Sequence, residues 1–213
     1  MLSAYGRRLY FPKGITSQTA EAKQKAHRFN ATIGIATEAD GPMSLPSTSS
    51  QLGEVSAADA VTYAPPAGRP DLRVRWREKL LAENPSLGDK NFGQPMVTSA
   101  ITHGLSLAGE LFLDPGNVVL MPDILWGNYR LAYEVHLGAK IETFAFYSEA
   151  GGFNTEGFAA RLAELAEGRV KIVVLLNFPN NPTGYMPMPE EGEALAAALE
   201  RQAERGTRLV AVP

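Results

Sequence analysis

A mostly parallel β-sheet with helices on both faces is the fold this sequence predicts, and three features carry that expectation. Five short runs, residues 96–99, 118–121, 141–146, 170–176 and 208–212, are apolar nearly throughout, as strands buried on both faces are. Between them lie stretches with helical spacing, residues 101–113, 126–137, 155–166 and 190–205. Strands alternating with helices are the pattern of an α/β/α three-layer architecture. The turn sequence Asp114-Pro115-Gly116-Asn117 breaks helix from strand where that alternation needs it.

The helical stretch 155–166 carries the clearest face, with Phe158, Leu162 and Leu165 in register. Upstream the texture changes. An arm (Tyr10, Phe11, Pro12, Lys13, Gly14) precedes residues 16–28, a polar Ala/Lys/Gln-rich stretch that reads as a surface helix. Residues 39–50 are mostly Gly, Pro, Ser and Thr and read as a connecting loop. Leu72, Trp76 and Leu80 follow at i, i+4 and i+8, one apolar stripe on a helix. At the other end the chain stops at Val210-Ala211-Val212-Pro213, inside what reads as a buried strand, so it reads as a truncated chain.

Composition narrows the function. Hydrophobic residues make up 45% and charged residues 20% of 213, enough apolar material for a core. Twenty Lys+Arg against 23 Asp+Glu leave −3, which offers no electrostatic case for nucleic acid or an anionic membrane. The absence of cysteine removes disulfides, thiolate metal sites and cysteine nucleophiles together. No apolar run at the N-terminus resembles a signal peptide, and residues 172–176 are far too short to span a membrane. A soluble, cytoplasmic protein is expected.

In open α/β sheets, ligands sit beyond the carboxyl ends of the strands, and three of those ends carry unusual residues. At Thr98-Ser99-Ala100-Ile101-Thr102 a strand runs into a helix, whose free N–H groups suit an anion, or which Thr98 or Ser99 simply caps. Trp126-Gly127 follows the next strand and offers either a stacking face or an interface or core Trp. Asn177-Phe178-Pro179-Asn180-Asn181-Pro182-Thr183-Gly184 follows the fourth, a turn stiffened by two prolines and able to aim an Asn amide.

Asn180-Asn181-Pro182-Thr183-Gly184 after an apolar strand resembles the signature of class I aminotransferases, fold-type I pyridoxal-phosphate enzymes. Tyr63-Ala64-Pro65-Pro66-Ala67-Gly68-Arg69-Pro70-Asp71-Leu72-Arg73 resembles that family's Tyr-x-Pro-x-x-Gly-x-x-x-Leu-Arg segment, and Asp114-Pro115-Gly116-Asn117 its Asp-Pro-Gly-Asp turn. Trp126-Gly127-Asn128 looks like the aspartate/aromatic branch. Four segments in order, from about Asn30 to the end, make the resemblance specific. It implies a truncated large domain at 58–213 that binds pyridoxal 5′-phosphate, preceded by an arm and small-domain segment at 1–57. The backbone N–H groups of Ala100, Ile101 and Thr102 would hold the cofactor phosphate, where many members have Gly or Ser in place of Ala100. Trp126 would stack on the pyridine ring and Asn181 would hydrogen-bond its phenolic oxygen. Tyr63 would reach the cofactor of a dimer partner, with the arm gripping that partner, and Gly34 would let backbone approach the substrate. Amino acid and 2-oxo acid substrates and a homodimer follow from the same resemblance.

Several expected parts are missing. By the same resemblance the aspartate that pairs with the pyridinium nitrogen, the tyrosine soon after it, the Schiff-base lysine and the substrate-clamping arginines belong beyond Pro213. The seven lysines (Lys13, Lys23, Lys25, Lys79, Lys90, Lys140, Lys171) all precede that point, so no residue of this chain is assigned catalysis and it is expected to be inactive alone. The neighbours of the strand at 96–99 would also come from beyond Pro213, leaving it unpaired. Two alternatives keep the fold: a lyase or decarboxylase, or a non-catalytic pseudoenzyme or regulator half. Gly104-Leu105-Ser106-Leu107-Ala108 falls one residue short of a hydrolase elbow, with Asp123 and His136 in a permissible order, but Ser106 lies two turns into a helix. His27, His103 and His136 lack metal-ligand spacing.

Overall fold

The computed structural model describes residues 1–9, 15–30, 32, 34–38 and 41–213; the arm at 10–14 lies outside them. The chain divides into two compact units, Met1–Leu9 with Ser99–Pro213, and Tyr10–Thr98.

The first unit opens with the short helix α1 (Ala4–Arg8) and is otherwise the predicted sheet with its helices. Strands β3 (Val118–Pro122), β4 (Lys140–Phe144), β5 (Lys171–Leu175) and β6 (Arg208–Val212) lie in the order β4-β3-β5-β6, all parallel. The four apolar runs from 118 onward therefore pair with one another as strands buried in an α/β sheet should. Successive residues of β3 and β5 point to opposite faces and enter two cores. Val118, Leu120, Ile172 and Val174 pack under helices α7 (Thr155–Ala166) and α8 (Pro189–Glu204), against Phe158, Leu162, Leu165, Leu195 and Ala198. Val119, Met121, Val173 and Leu175 meet Leu113, Tyr129 and Tyr133 on the side of helix α6 (Ala100–Phe112). The predicted face of α7 is the one it buries.

Local sequence explains the joints. Gly116 adopts φ +85° in the 114–117 turn, where Asn117 N–H donates to the Asp114 carbonyl, a backbone setting that favours glycine. The Asn154 side chain caps α7 by accepting from Gly157 N–H at 2.8 Å.

Residues 126–137 do not form the expected α-helix. A turn at 126–130 leads instead to a π-helix, Arg130–His136; Tyr133 within it and Tyr129 just before it are both buried against the sheet. A residue spacing of four fits either helix type, and the partners across the core decide between them. On α6, Gly109 makes the close approach possible, since a Cβ there would lie 2.7 Å from Leu137 Cδ1 and 2.8 Å from Tyr133 Cε1.

The second unit holds helix α2 (Ile15–Lys25), a short hairpin of β1 (Thr37–Glu38) with β2 (Gly41–Pro42), and helices α3 (Pro46–Ser49), α4 (Ala57–Val61) and α5 (Pro70–Glu83). One expectation fails here: residues 41–50 are not plain loop, because Pro46 at a helix start suits the first turn of α3. The helix expected around Leu72, Trp76 and Leu80 forms as α5, and Leu72 and Trp76 are about half exposed on it. That helix is laced by ion pairs, Arg75 with Glu78 and Lys79 with Glu83, and Arg77 lies over the Phe92 ring at 4.8 Å. Among the described residues of this unit Thr19 alone is buried.

The run at 96–99 forms no strand. Val97 N–H donates to the Ala67 carbonyl, and Arg73 Nε donates to the Pro95 carbonyl at 2.5 Å. Gly68, at φ +93°, leaves no room for a Cβ beside Val97. A strand exists only through ladder partners, and no described strand pairs with these residues. No helix of the described residues is long and apolar enough to cross a membrane.

Candidate functional site

The first unit gathers its unusual residues at one edge. The strands β3 and β5 are hydrogen-bonded neighbours running the same way, so the segments following them emerge side by side at the carboxyl edge. After β3, Asp123 extends the pairing with β4: its N–H donates to the Phe144 carbonyl and its carboxylate accepts from Phe146 N–H, both at 2.9 Å. Trp126 follows, half-buried against the Val119 core, with its ring edge-to-face with Tyr129 at 5.5 Å. Burial pushes the Tyr129 phenol up, and a hydrogen bond with the Asn177 side chain partly offsets it. Asn177 begins the segment that leaves β5, which ties the two segments together.

That second segment contains two cis peptide bonds, Phe178–Pro179 and Asn181–Pro182. Its adjacent asparagines are used differently. Asn180 is buried, and its Oδ1 accepts from Thr183 Oγ1 at 2.8 Å and Thr183 N–H at 3.2 Å. Its Nδ2 lies 3.4 Å from the Ile124 carbonyl, in the segment that carries Trp126. Asn181 is exposed, and no side-chain hydrogen bond holds it among the described residues.

Helix α6 reaches the same edge by geometry. It joins β3 through the 114–117 turn at the amino edge, and its 13 residues span roughly 20 Å back along the sheet. Tyr133 hydroxyl donates to the Leu105 carbonyl, and Leu105 packs with Trp126 in one core. Ala100, Ile101 and Thr102 form the first turn, all exposed. Ser99 does not cap it with its side chain; Ser99 N–H donates to His103 Nδ1 at 3.0 Å. Helix-starting N–H groups have no intrahelical acceptor. Ala100 sits at φ +61°, a region that costs an L-residue about 1–2 kcal/mol.

The two remaining candidates lie in the second unit. Tyr63, just after α4, is fully exposed, and Gly34 is exposed with nothing within 4 Å of a would-be Cβ. The decoys resolve as structural parts. Ser106 is inside α6, Asp123 holds Phe146, and the His136 ring lies 4.9 Å from that of Tyr5. Motif reading overlooked Asn180, whose only signal was a doubled Asn, and Tyr129, Asn177, Tyr185 and Glu191, whose partners are remote in sequence.

The profile of the family "Aminotransferase class I and II" matches residues 43–205. The chain belongs to that family. The chain is 31% identical over 148 residues to the probable aspartate/prephenate aminotransferase of Aquifex aeolicus, a match covering 70% of the chain and 35% of that protein. Against the aspartate/prephenate aminotransferase of Thermus thermophilus it is 33% identical over 134 residues, covering 63% and 33%. An aminotransferase structure from Anaerococcus prevotii superposes at TM-score 0.83 with 24% identity, over 99% of this chain and 54% of that one. The cytoplasmic aspartate aminotransferase of Saccharomyces cerevisiae does so at 0.74 with 17% identity, over 95% and 49%. The chain thus spans about half the length of these structures and a third of the curated relatives. Its sheet has the fold of part of an aminotransferase large domain, and pyridoxal 5′-phosphate is the family's cofactor.

The residues present fit that group. A helix start that Ser99 leaves without a side-chain cap suits a phosphate, Trp126 offers a braced aromatic ring, and Asn181 has an amide with no side-chain hydrogen bond among the described residues beside an Asn180 that has several.

Proposed function

We propose that the chain is the N-terminal portion of a cytoplasmic, pyridoxal-phosphate-dependent aminotransferase that moves an amino group between an amino acid and a 2-oxo acid. One observation carries the reading: at a single sheet edge, Asn180 ties the segment bearing Trp126 to the segment bearing an unengaged Asn181. The cofactor, when bound, supplies an electron sink for bond cleavage at the substrate Cα. The chain's own residues bind and orient. Backbone N–H groups of Ala100, Ile101 and Thr102, with the Thr102 hydroxyl, hold the phosphate at the positive end of α6. Trp126 supports one ring face, and Asn181 Nδ2 donates to the phenolic oxygen. Gly34 lets backbone approach the substrate.

Residues 58–213 form the cofactor-binding domain and 1–57 the arm and small-domain segment of a homodimer in which Tyr63 serves the neighbouring site. The aspartate/prephenate names of the relatives favour acidic or aromatic amino acids.

Proton transfer at the substrate Cα needs a positioned amine. The two lysines of the first unit, Lys140 and Lys171, begin β4 and β5 at the amino edge, opposite the site. Lys171 pairs there with Asp114 at 3.5 Å. Purified 1–213 with pyridoxal phosphate and aspartate or phenylalanine is therefore expected to turn over no faster than free cofactor. Turnover above that rate would refute the missing-lysine reading. Translating the coding sequence past Pro213 tests the assignment as a whole: an Asp, a Tyr and then a Lys are expected, and their absence would leave a non-catalytic member of the fold.

A further inference from the structure

Helix α8 begins beside the segment that bears Asn181, and one carboxylate there has more partners than a helix cap requires. Glu191 turns back so that Oε2 accepts from Met188 N–H at 2.8 Å, the ordinary task of an acidic residue in a first turn. Its Oε1 also accepts from Phe153 N–H at 2.7 Å, and both oxygens lie 2.9 Å from the Tyr185 hydroxyl. No cation pairs with it among the described residues. Burial opposes its ionisation, yet the bonds from Met188, Phe153 and Tyr185 hold its pKa below the usual carboxylate value.

Glycine is needed at this contact. Gly152 has φ +76°, and a Cβ there would lie 2.9 Å from Glu191 Oε1. The Tyr185 ring is fixed edge-on to Phe146 at 5.7 Å and to Tyr147 at 5.9 Å.

Tyr185 carries this anchoring into the candidate site. Its carbonyl accepts from Asn180 N–H at 2.9 Å, and its N–H donates to Thr183 Oγ1 at 3.2 Å. Thr183 Oγ1 in turn donates to Asn180 Oδ1. Asn181 and Pro182 are the only residues of the turn between these fixed points.

We infer that Glu191, acting through Tyr185, is a positioning residue that latches the 180–184 turn and so aims Asn181. This rests on the proposed cofactor role of that turn. An ionised carboxylate suits the task because it is acceptor-only and here meets three donors; a glutamine would turn an N–H₂ group towards one of them.

The test compares the whole 213-residue chain with Glu191→Ala, Glu191→Gln, Tyr185→Phe and the Glu191→Ala/Tyr185→Phe double variant. Two readouts are taken, amide hydrogen exchange and the quenching of Trp126 fluorescence by pyridoxal phosphate in a Trp76→Phe background. Glu191→Ala and Tyr185→Phe should each speed exchange at Thr183 and Gly184 about tenfold, the scale of one lost charge-assisted hydrogen bond. Exchange at Val173, Val174, Leu195 and Ala198 should stay within about twofold, as for a local change. Cofactor affinity should fall by a similar factor of about ten, with Glu191→Gln intermediate and the double variant no worse than the worse single, as for one network. Unchanged exchange at Thr183 and Gly184 would overturn the latch. Faster exchange with unchanged affinity would overturn its positioning role. A parent chain that pyridoxal phosphate never quenches would overturn the proposed function, and the exchange arm would still decide the latch.

Discussion

Replacing each asparagine of the 180–181 pair by alanine should separate folding from binding within two consecutive residues. Asn180→Ala deletes an acceptor that holds Thr183 Oγ1 at 2.8 Å and Thr183 N–H at 3.2 Å. Two such bonds at about 1 kcal/mol each, plus the cost of a donor left without its partner, give about 2–3 kcal/mol. The long contact to the Ile124 carbonyl adds little at 3.4 Å. Asn181→Ala removes an exposed side chain with no internal bond and should stay within about 0.5 kcal/mol. The assay is urea unfolding followed by Trp126 fluorescence with Trp76→Phe as background, since the chain has two tryptophans. With a slope of about 1–3 kcal/mol per molar urea, Asn180→Ala should lower the midpoint by roughly 1 M and Asn181→Ala should leave it in place. Asn180→Asp keeps the acceptor but sets an oxygen against the Ile124 carbonyl, so it should fall between. Pyridoxal-phosphate binding should reverse the order, with Asn181→Ala weakening affinity in a chain of normal stability. Equal midpoints for the two alanine variants, or a larger loss at Asn181, would refute the division of labour.

Phe158 is fully buried and packs against Phe144 at 5.4 Å between ring centroids; Phe158→Ala should cost about 3–5 kcal/mol in denaturant melts, and a loss below about 1 kcal/mol would contradict its place in the core. Burial pushes the Tyr133 phenol up to about 12. Folding therefore favours its neutral form, and the associated stability, about 2–3 kcal/mol, is present below pH 10 and lost as pH rises through about 12. Tyr133→Phe should flatten the alkaline limb of the stability profile, and an unaltered limb would count against burial as its cause. Ala100→Gly should be neutral or stabilise by up to about 1 kcal/mol, and Ala100→Val should destabilise by about 1–3 kcal/mol, because φ is +61° there; thermal unfolding showing the reverse order would contradict the left-handed backbone.

Several features of this protein are determined by the sequence alone because their causes are local. Apolar runs at 118–121, 141–146, 170–176 and 208–212 become parallel strands within a residue or two of their expected ends at most positions, since a continuous apolar run is stable only where both faces are covered. The 158/162/165 face is buried because 3.6-residue periodicity places those side chains together in any helix. The 180–184 turn and Trp126 stand at strand ends for similar reasons of chain order. Tertiary structure decides what depends on remote partners. Trp76 has the same local spacing as a core residue, yet it is half exposed because no described element covers it. The run at 96–99 has a strand's composition without a ladder. Residues 130–136 coil as a π-helix where Tyr133, and Tyr129 just before it, meet a sheet that the local pattern does not contain. Asn180 and Asn181 are the same residue type in nearly the same context, and only contacts with Thr183 and Ile124 tell the buried brace from the free amide. Glu191 holds Phe153 from 38 positions away, and at that separation a hydrogen bond leaves no periodic trace in the sequence.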